Sequence, residues 1–307
     1  MMSESFLLLP ILLPVLAALA LAGLRNPARL SLGVGAAVTA NTFLTLFLVR
    51  EAPKGTLALF RLSPSLDFAL RLDGLGMVFA VLVAVLWVPT TFYAFEYMKH
   101  EGGEGQKKNA FFAWFILTYG VVLGIAFSAN LLTLYFFYEL MTLTTLPLVM
   151  YAMDNRARYA GRKYLIYSVG GASCAFIALL VTAIAGSDAP FAMGGTLDAA
   201  AVSHETLLTA YFLGFLGFGV KAAVFPFQGW LPSASVAPTP VTALLHAVAV
   251  VKGGVFAILR LTYYVFGAEL LRGTWAQAAA FALACFTIVY GSARALASQH
   301  LKLRFAW

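Results

Sequence analysis

Charge is what this sequence has least of. Asp, Glu, Lys and Arg make up 11% of the 307 residues, and nowhere do they gather into a polar stretch long enough for a soluble domain of ordinary size. Cysteine and histidine are also scarce, at two and four residues. Cys174 and Cys285 each fall inside an apolar run, which argues against a disulfide or an iron–sulfur cluster and reads them as small buried residues. No His pair stands at metal-ligating spacing and no glycine-rich loop follows a strand pattern, so no metal and no other cofactor is expected. The net charge of +7 would suit nucleic acid only if it formed one basic face. The Lys and Arg residues sit instead in short segments between apolar runs, where they set membrane topology. No nucleic-acid partner is expected.

What is abundant is hydrophobic length: 62% of residues are apolar and the mean hydropathy is +0.87. Runs of about 20 apolar residues, enough to cross a bilayer, recur from end to end. The reading is an all-α polytopic membrane protein with about nine transmembrane helices. The expected spans are 6–24, 30–49, 73–97, 110–128, 131–152, 163–185, 206–231 (broken near Pro226), 239–265 and 274–297. Residues 128–130 form a tight link, and 50–72, 99–109, 154–162 and 186–203 read as loops. Glu4 precedes the first run, while Arg25 and Arg29 follow it; that order opposes a cleavable signal, so a retained helix is expected.

Basic residues divide unevenly between alternate loops. One side carries Arg25, Arg29, Lys99, Lys107, Lys108, the arginines of 154–162, Lys163 and the basic residues after 290. The other carries Arg50, Lys54, Arg61, Arg71, Arg260 and Arg272. The richer side is expected in the cytoplasm, which places the N-terminus outside a cell inner (cytoplasmic) membrane.

Against so apolar a background, ionisable residues within spans stand out, because each costs about 2.5–3.5 kcal/mol at the bilayer centre on insertion scales. Lys221 and Lys252 lie among small and apolar residues in the stretch 217–260, separated by Pro226, Pro232, Pro238 and Pro240. Prolines break or end helices, and non-helical backbone survives at membrane depth only where protein buries it or water lines it. The plainer alternative is a re-entrant loop or helix end with Trp230 as an interfacial anchor. Glu139 lies about 12 Å into the fifth span at the usual rise per residue, a depth similar to that of Lys221. Pairing the two lowers the burial cost of both and makes each one's protonation depend on the other. A static pair that only fixes helix packing is the competing reading. His246, six residues before Lys252, would lie about 120° away from it on an ideal helix; it serves either as a proton relay or as a core histidine. The pairs Gly170-Gly171 and Gly253-Gly254 suit close helix packing.

These residues resemble a known family. Lys221-Ala222-Ala223-Val224-Phe225-Pro226-Phe227, Trp230-Leu231-Pro232, Ala237-Pro238-Thr239-Pro240 through His246, Lys252 and Arg260 are similar to the antiporter-like membrane subunits. Those subunits serve respiratory complex I (NADH:quinone oxidoreductase), Mrp-type cation/proton antiporters and membrane-bound hydrogenases. Leu72-Asp73-Gly74-Leu75, Glu96-Tyr97-Met98, Asn130 through Glu139, Lys163-Tyr164-Leu165-Ile166 and Leu301-Lys302 agree with it. The resemblance implies a first five-helix repeat spanning helices four to eight, with a discontinuous helix seven, followed by an inverted second repeat that is incomplete in this chain, as if C-terminally truncated. Residues 1–109 would hold the first three helices, 110–265 the first repeat and 266–307 the start of the second. It further implies that Glu139 pairs with Lys221 and that Lys252 and His246 carry protons along a central polar axis, with Lys163 as an additional group. Gln228, Ser233 and Ser235 depart from residues often found in the family, which leans toward the Mrp or hydrogenase branch.

The function expected is proton or cation translocation within a multisubunit membrane complex, coupled to redox chemistry or to an opposing Na+/H+ gradient. Its partners would be other membrane subunits, H+ and Na+, and the lipid bilayer. Such a subunit has no redox centre of its own but can belong to an ion-translocating oxidoreductase. The alternative is a non-conducting scaffold subunit of such a complex.

Overall fold

In the computed structural model, residues 4–24, 26–53, 55–63, 66–101, 105–186, 189–198 and 200–307 are described. Arg25 and Lys54, both counted in the charge asymmetry, lie outside them, as does the Lys107 side chain. The chain opens with α1 (Leu9–Ala22), entered through a 3-10 turn (Glu4–Leu8), and α2 (Pro27–Glu51). Pro14 inside α1 has no N–H to give the Pro10 carbonyl. The Asn41 amide on α2 donates to that carbonyl at 3.2 Å instead, which satisfies a group the membrane cannot. Thr42, one residue on, bonds the Ala84 carbonyl of α3 (Gly74–His100) at 3.1 Å and the Tyr119 hydroxyl of α4 (Gly105–Phe127) at 2.9 Å. Tyr119 stacks on Trp87 with ring centroids 4.7 Å apart. This polar stitch in an aromatic core ties the first four helices together.

Residues 50–72, expected as a loop, contain an antiparallel hairpin instead: β1 (Leu57–Ser63) and β2 (Leu66–Leu70). Phe60 stacks on Phe68, and Arg61 pairs with Asp67 at 3.4 Å. The tight link 128–130 is present and runs along β2, with Leu70 bridged to Ser128 and the Ala129 amide bonded to the Ala69 carbonyl. Asn130 then caps α5 (Leu131–Val149) by accepting from the Thr133 amide.

Helix α6 (Asn155–Ile184) begins at Asn155 rather than near 163, because Asp154 caps it by accepting from the Ala157 amide at 2.7 Å. Arg156, Arg158 and Arg162 therefore lie on helix, not loop. Helix α7 (His204–Lys221) packs tightly on α6: a Cβ on Gly217 would stand 2.5 Å from the Ala175 amide and 2.6 Å from the Gly171 carbonyl. Gly217→Val should thus force the two helices apart and cost about 1–3 kcal/mol, read as a lower Tm in detergent. Gly170→Ala, with nothing within 4 Å of its added Cβ, should instead raise stability by roughly 0.5–1 kcal/mol. Close packing thus holds for Gly171 but not for Gly170.

After α7 the chain forms a 3-10 turn (Phe227–Gly229) and the short α8 (Trp230–Ala234). It then runs as one membrane-length helical segment, Thr239–Phe266. That segment comprises α9 (Thr239–Ala243), a π turn (Leu244–Val248), α10 (Val250–Leu259) and a second π turn (Arg260–Phe266). Then follow α11 (Ala268–Leu271), α12 (Trp275–Ala297) and α13 (Leu301–Ala306). Among the described residues, eight helices are long and apolar enough to cross a membrane; the interrupted α7–α8 unit accounts for the ninth expected span. Leucines such as Leu19, Leu32 and Leu296 face outward, as lipid contact requires. On α12 only Ala276, Ala280 and Gly291 are buried. Cys285, expected to be buried, is exposed on that helix, and both cysteines are free.

Candidate functional site

The site forms where α7 stops. The first turn beyond Lys221 passes through Ala223 in the left-handed region (φ 57°) and the cis Phe225–Pro226 peptide. A helix end inside the protein leaves carbonyls without partners, and here three of them are met. The Tyr138 hydroxyl of α5 donates to the Phe218 carbonyl at 3.0 Å. The Val224 amide takes the Gly219 carbonyl at 2.9 Å. The indole Nε1 of Trp230 donates to the Val220 carbonyl at 2.7 Å. Trp230 is buried against Tyr164, so it is a plug for the broken helix, not an interfacial anchor. Of the four prolines singled out, Pro226 stands at the break. Pro232 lies within α8, and Pro238 and Pro240 start α9 as its N-cap and first-turn residues.

Lys221 occupies the last turn of α7, where the helix dipole favours a cation, and its side chain is 0% exposed. Its Nζ donates to the Tyr138 carbonyl at 2.5 Å and lies 3.4 Å from Glu139 Oε1. It also sits over the Tyr138 ring, 3.3 Å from the centroid. The Glu139 side chain is 27% exposed, so the pair joins a sealed cation to a carboxylate at the surface of the chain. Gly254 makes room for this: a Cβ there would run into the Ala222 amide and the Lys221 carbonyl carbon.

Beyond the break lies a cavity of about 230 Å³ lined by Ala222, Ala223, Gln228, His246, Thr287 and Tyr290, among others. Gln228 Oε1 and His246 Nε2 are buried without a hydrogen-bond partner among the described residues. The rest of the lining is largely apolar, with Phe225, Leu231, Val251 and Phe305, so these two groups mark the place where an ordered water would find partners. His246 lies within the first π turn, so its spacing from Lys252 is not that of an ideal helix; π turns in helices are often found at functional sites. Lys252 is exposed and makes no hydrogen bond or ion pair among the described residues. Lys163 on α6 reaches the Ser233 hydroxyl of α8 at 3.1 Å and lies over the Tyr167 ring. The structure therefore joins Glu139 to Lys221 and sets His246 in the adjoining cavity, but leaves Lys163 and Lys252 outside that cluster.

Sequence reasoning missed the second buried ion pair. Arg260, counted above as a loop charge, is 0% exposed and makes a two-pronged contact with Asp73, the N-cap of α3. Phe191, Phe256 and Tyr264 pack around its guanidinium at 4.7–4.9 Å from ring centroid to Cζ. Tyr138 and Gln228 were also missed. Their signals were slight: an aromatic next to Glu139, and a polar amide two residues past Pro226.

A multi-pass helical protein with a charged pair at a broken membrane helix has the architecture of the antiporter-like proteins of energy-converting membranes. The chain belongs to the family described as NADH:quinone oxidoreductase/Mrp antiporter, transmembrane, whose model matches residues 128–307. It is 36% identical over 209 residues to a Rhizobium meliloti protein described as the A/B component of a probable K(+)/H(+) antiporter, covering 66% of this chain and 20% of that protein. Its fold is similar to a chain of the Mrp complex from Dietzia sp. DQ12-45-1b (TM-score 0.83, 22% identity, 98% of this chain and 32% of that one). It is also similar to a chain of respiratory complex I from Thermus thermophilus (TM-score 0.71, 26% identity, 98% and 61%). The chain spans about a fifth of the length of the curated relative.

Proposed function

We propose that this chain moves protons within a multisubunit membrane complex. The route starts at Glu139, passes through Lys221 at the break, and continues through the cavity at His246 and Gln228. Lys252 is the onward station on an exposed face, and Lys163 a further group where α6 meets α8. Residues 110–265 act as the translocating repeat. The antiporter names of the relatives favour exchange against Na+ or K+ over redox coupling. The uneven division of basic residues between the two sides supports an N-terminus outside, and the bacterial relatives support an inner membrane.

The observation that carries this reading is the position of Lys221. A fully buried ammonium is expensive, and well-packed apolar residues usually serve stability as well or better. Here it sits at an interrupted helix, against a carboxylate at the surface of the chain and beside a cavity that holds two unpartnered polar atoms.

The test is Glu139→Gln in the assembled complex. Cation pulses are applied to membrane vesicles, proton movement is followed with a pH-sensitive dye, and assembly is checked by native electrophoresis. Coupled flux should be lost with assembly intact. Full flux with Glu139→Gln would sink the proposal and leave a scaffold role.

A further inference from the structure

Two concavities lie along one stripe of α6. Arg156, Tyr159, Lys163, Tyr167, Gly170 and Cys174 follow one another at intervals of three and four residues, so they share a helix face. At the N-terminal end of the stripe, a cavity of about 720 Å³ opens between α6, α8 and α13, and Arg156, His300 and Lys302 line it together with Ser233 and Ser235. Lys302 is oriented by donating to the Ala237 carbonyl at 3.0 Å. Asp154 also lines this cavity, but its carboxylate faces the Ala157 amide as the helix cap. Glu101, at the end of α3, also acts on Lys302, so it is Lys163, next along the stripe, that leaves a small excess of positive charge at this end.

Deeper along the same face, an apolar groove of about 510 Å³ lies between α6 and α7, walled by Ile166, Leu216, Val220 and Phe227. Gly170 keeps it open, since no atom lies within 4 Å of where its Cβ would be. The separation of Arg156 from Gly170 along the helix is roughly 21 Å at 1.5 Å per residue. A basic cavity at a helix end, with a separate apolar groove further along the same face at membrane depth, matches one class of molecule from head to tail.

We propose that this face of α6 binds an anionic glycerophospholipid. Its phosphate sits among Arg156, His300 and Lys302, and an acyl chain runs into the groove beside Gly170 and Cys174. A zwitterionic lipid would leave the cations without a net counter-charge, and a free phosphate would have no use for the groove.

The purified full chain, stripped of lipid in detergent, is offered phosphatidylglycerol, phosphatidylcholine or inorganic phosphate, and adducts are counted by native mass spectrometry. Phosphatidylglycerol should be retained over phosphatidylcholine by about tenfold to thirtyfold, as expected for basic groups near the headgroup. Arg156→Gln with Lys302→Gln should bring the two lipids close to parity. Arg156→Gln alone, at an exposed position, should give an intermediate ratio with no risk to folding. Gly170→Leu fills the groove without touching a charge and should weaken retention of both lipids. Equal retention of the two lipids by the unaltered chain overturns the proposal. So does an unchanged Gly170→Leu combined with competition by inorganic phosphate, which would mark a plain anion site.

Discussion

Replacing Lys221 with methionine should cut coupled ion flux by about a hundredfold, the scale on which a positioned proton-transfer group contributes, and should also lower the Tm, because Glu139 loses its cation. Methionine keeps the unbranched stem and gives up only the ammonium. Replacing both members of a buried pair by apolar groups of similar volume is often neutral or stabilising, whereas removing one member is costly. Glu139 is left without its cation, with a side chain that is 27% exposed and so less sealed than Lys221. Glu139→Gln acts from the other side: it leaves a fully buried ammonium with only the Tyr138 carbonyl and ring, so it should lower the Tm as well as the flux. Lys221→Arg should fail too, because a planar guanidinium cannot take the place of a compact ammonium beside that ring. Flux in proteoliposomes and thermal unfolding, measured on the same preparations, check all three. A packing pair predicts the same loss of Tm for Lys221→Met but with flux kept.

The Glu139–Lys221 pair was legible in the sequence because of cost. Few ionisable residues lie within apolar runs, each needs a partner, and similar depth in neighbouring spans left few ways to match them. The break in helix seven was legible because prolines and small residues cluster after Lys221. The phase of the next helix was not. Lys252 reads as buried from its neighbours, Val250, Val251, Gly253 and Gly254, but a π turn at Leu244–Val248 alters the rotation of everything after it. Sequence periodicity carries no mark of that extra residue per turn. The hairpin at Leu57–Leu70 was missed for a different reason: two short β-prone runs around Pro64-Ser65 were a valid hairpin signal, overridden by the reading of a charged inter-span stretch as loop. Likewise, Asp154 had the chemistry of a helix cap, but arginines in the first turns of α6 looked like loop charge. Helix boundaries follow capping hydrogen bonds more closely than they follow hydropathy.

Asp73→Asn should destabilise the protein by about 3–5 kcal/mol, the usual cost of stripping one partner from a buried pair. Asparagine can still accept from the Gly76 amide, which Asp73 caps at 2.9 Å, so this loss isolates the charge. Asp73→Ala removes the cap as well and should cost about 1 kcal/mol more. The penalty falls on Arg260, fully buried among three aromatic rings with its Nε already lacking a partner. Adding Arg260→Met to Asp73→Asn should recover most of the stability, since the orphaned charge is gone. Recovery of flux is a separate matter. Arg260 begins the second π turn of the segment that also carries His246 and Lys252, and Asp73 pins it to the start of α3. A hydrophobic substitute can fill the space but cannot fix the rotation of that segment as two parallel hydrogen bonds do. The double variant should therefore melt near the wild-type temperature yet translocate poorly. If it translocates as well as wild type, the pair serves packing alone. If it remains unstable, the aromatic box around residue 260 requires a cation in its own right.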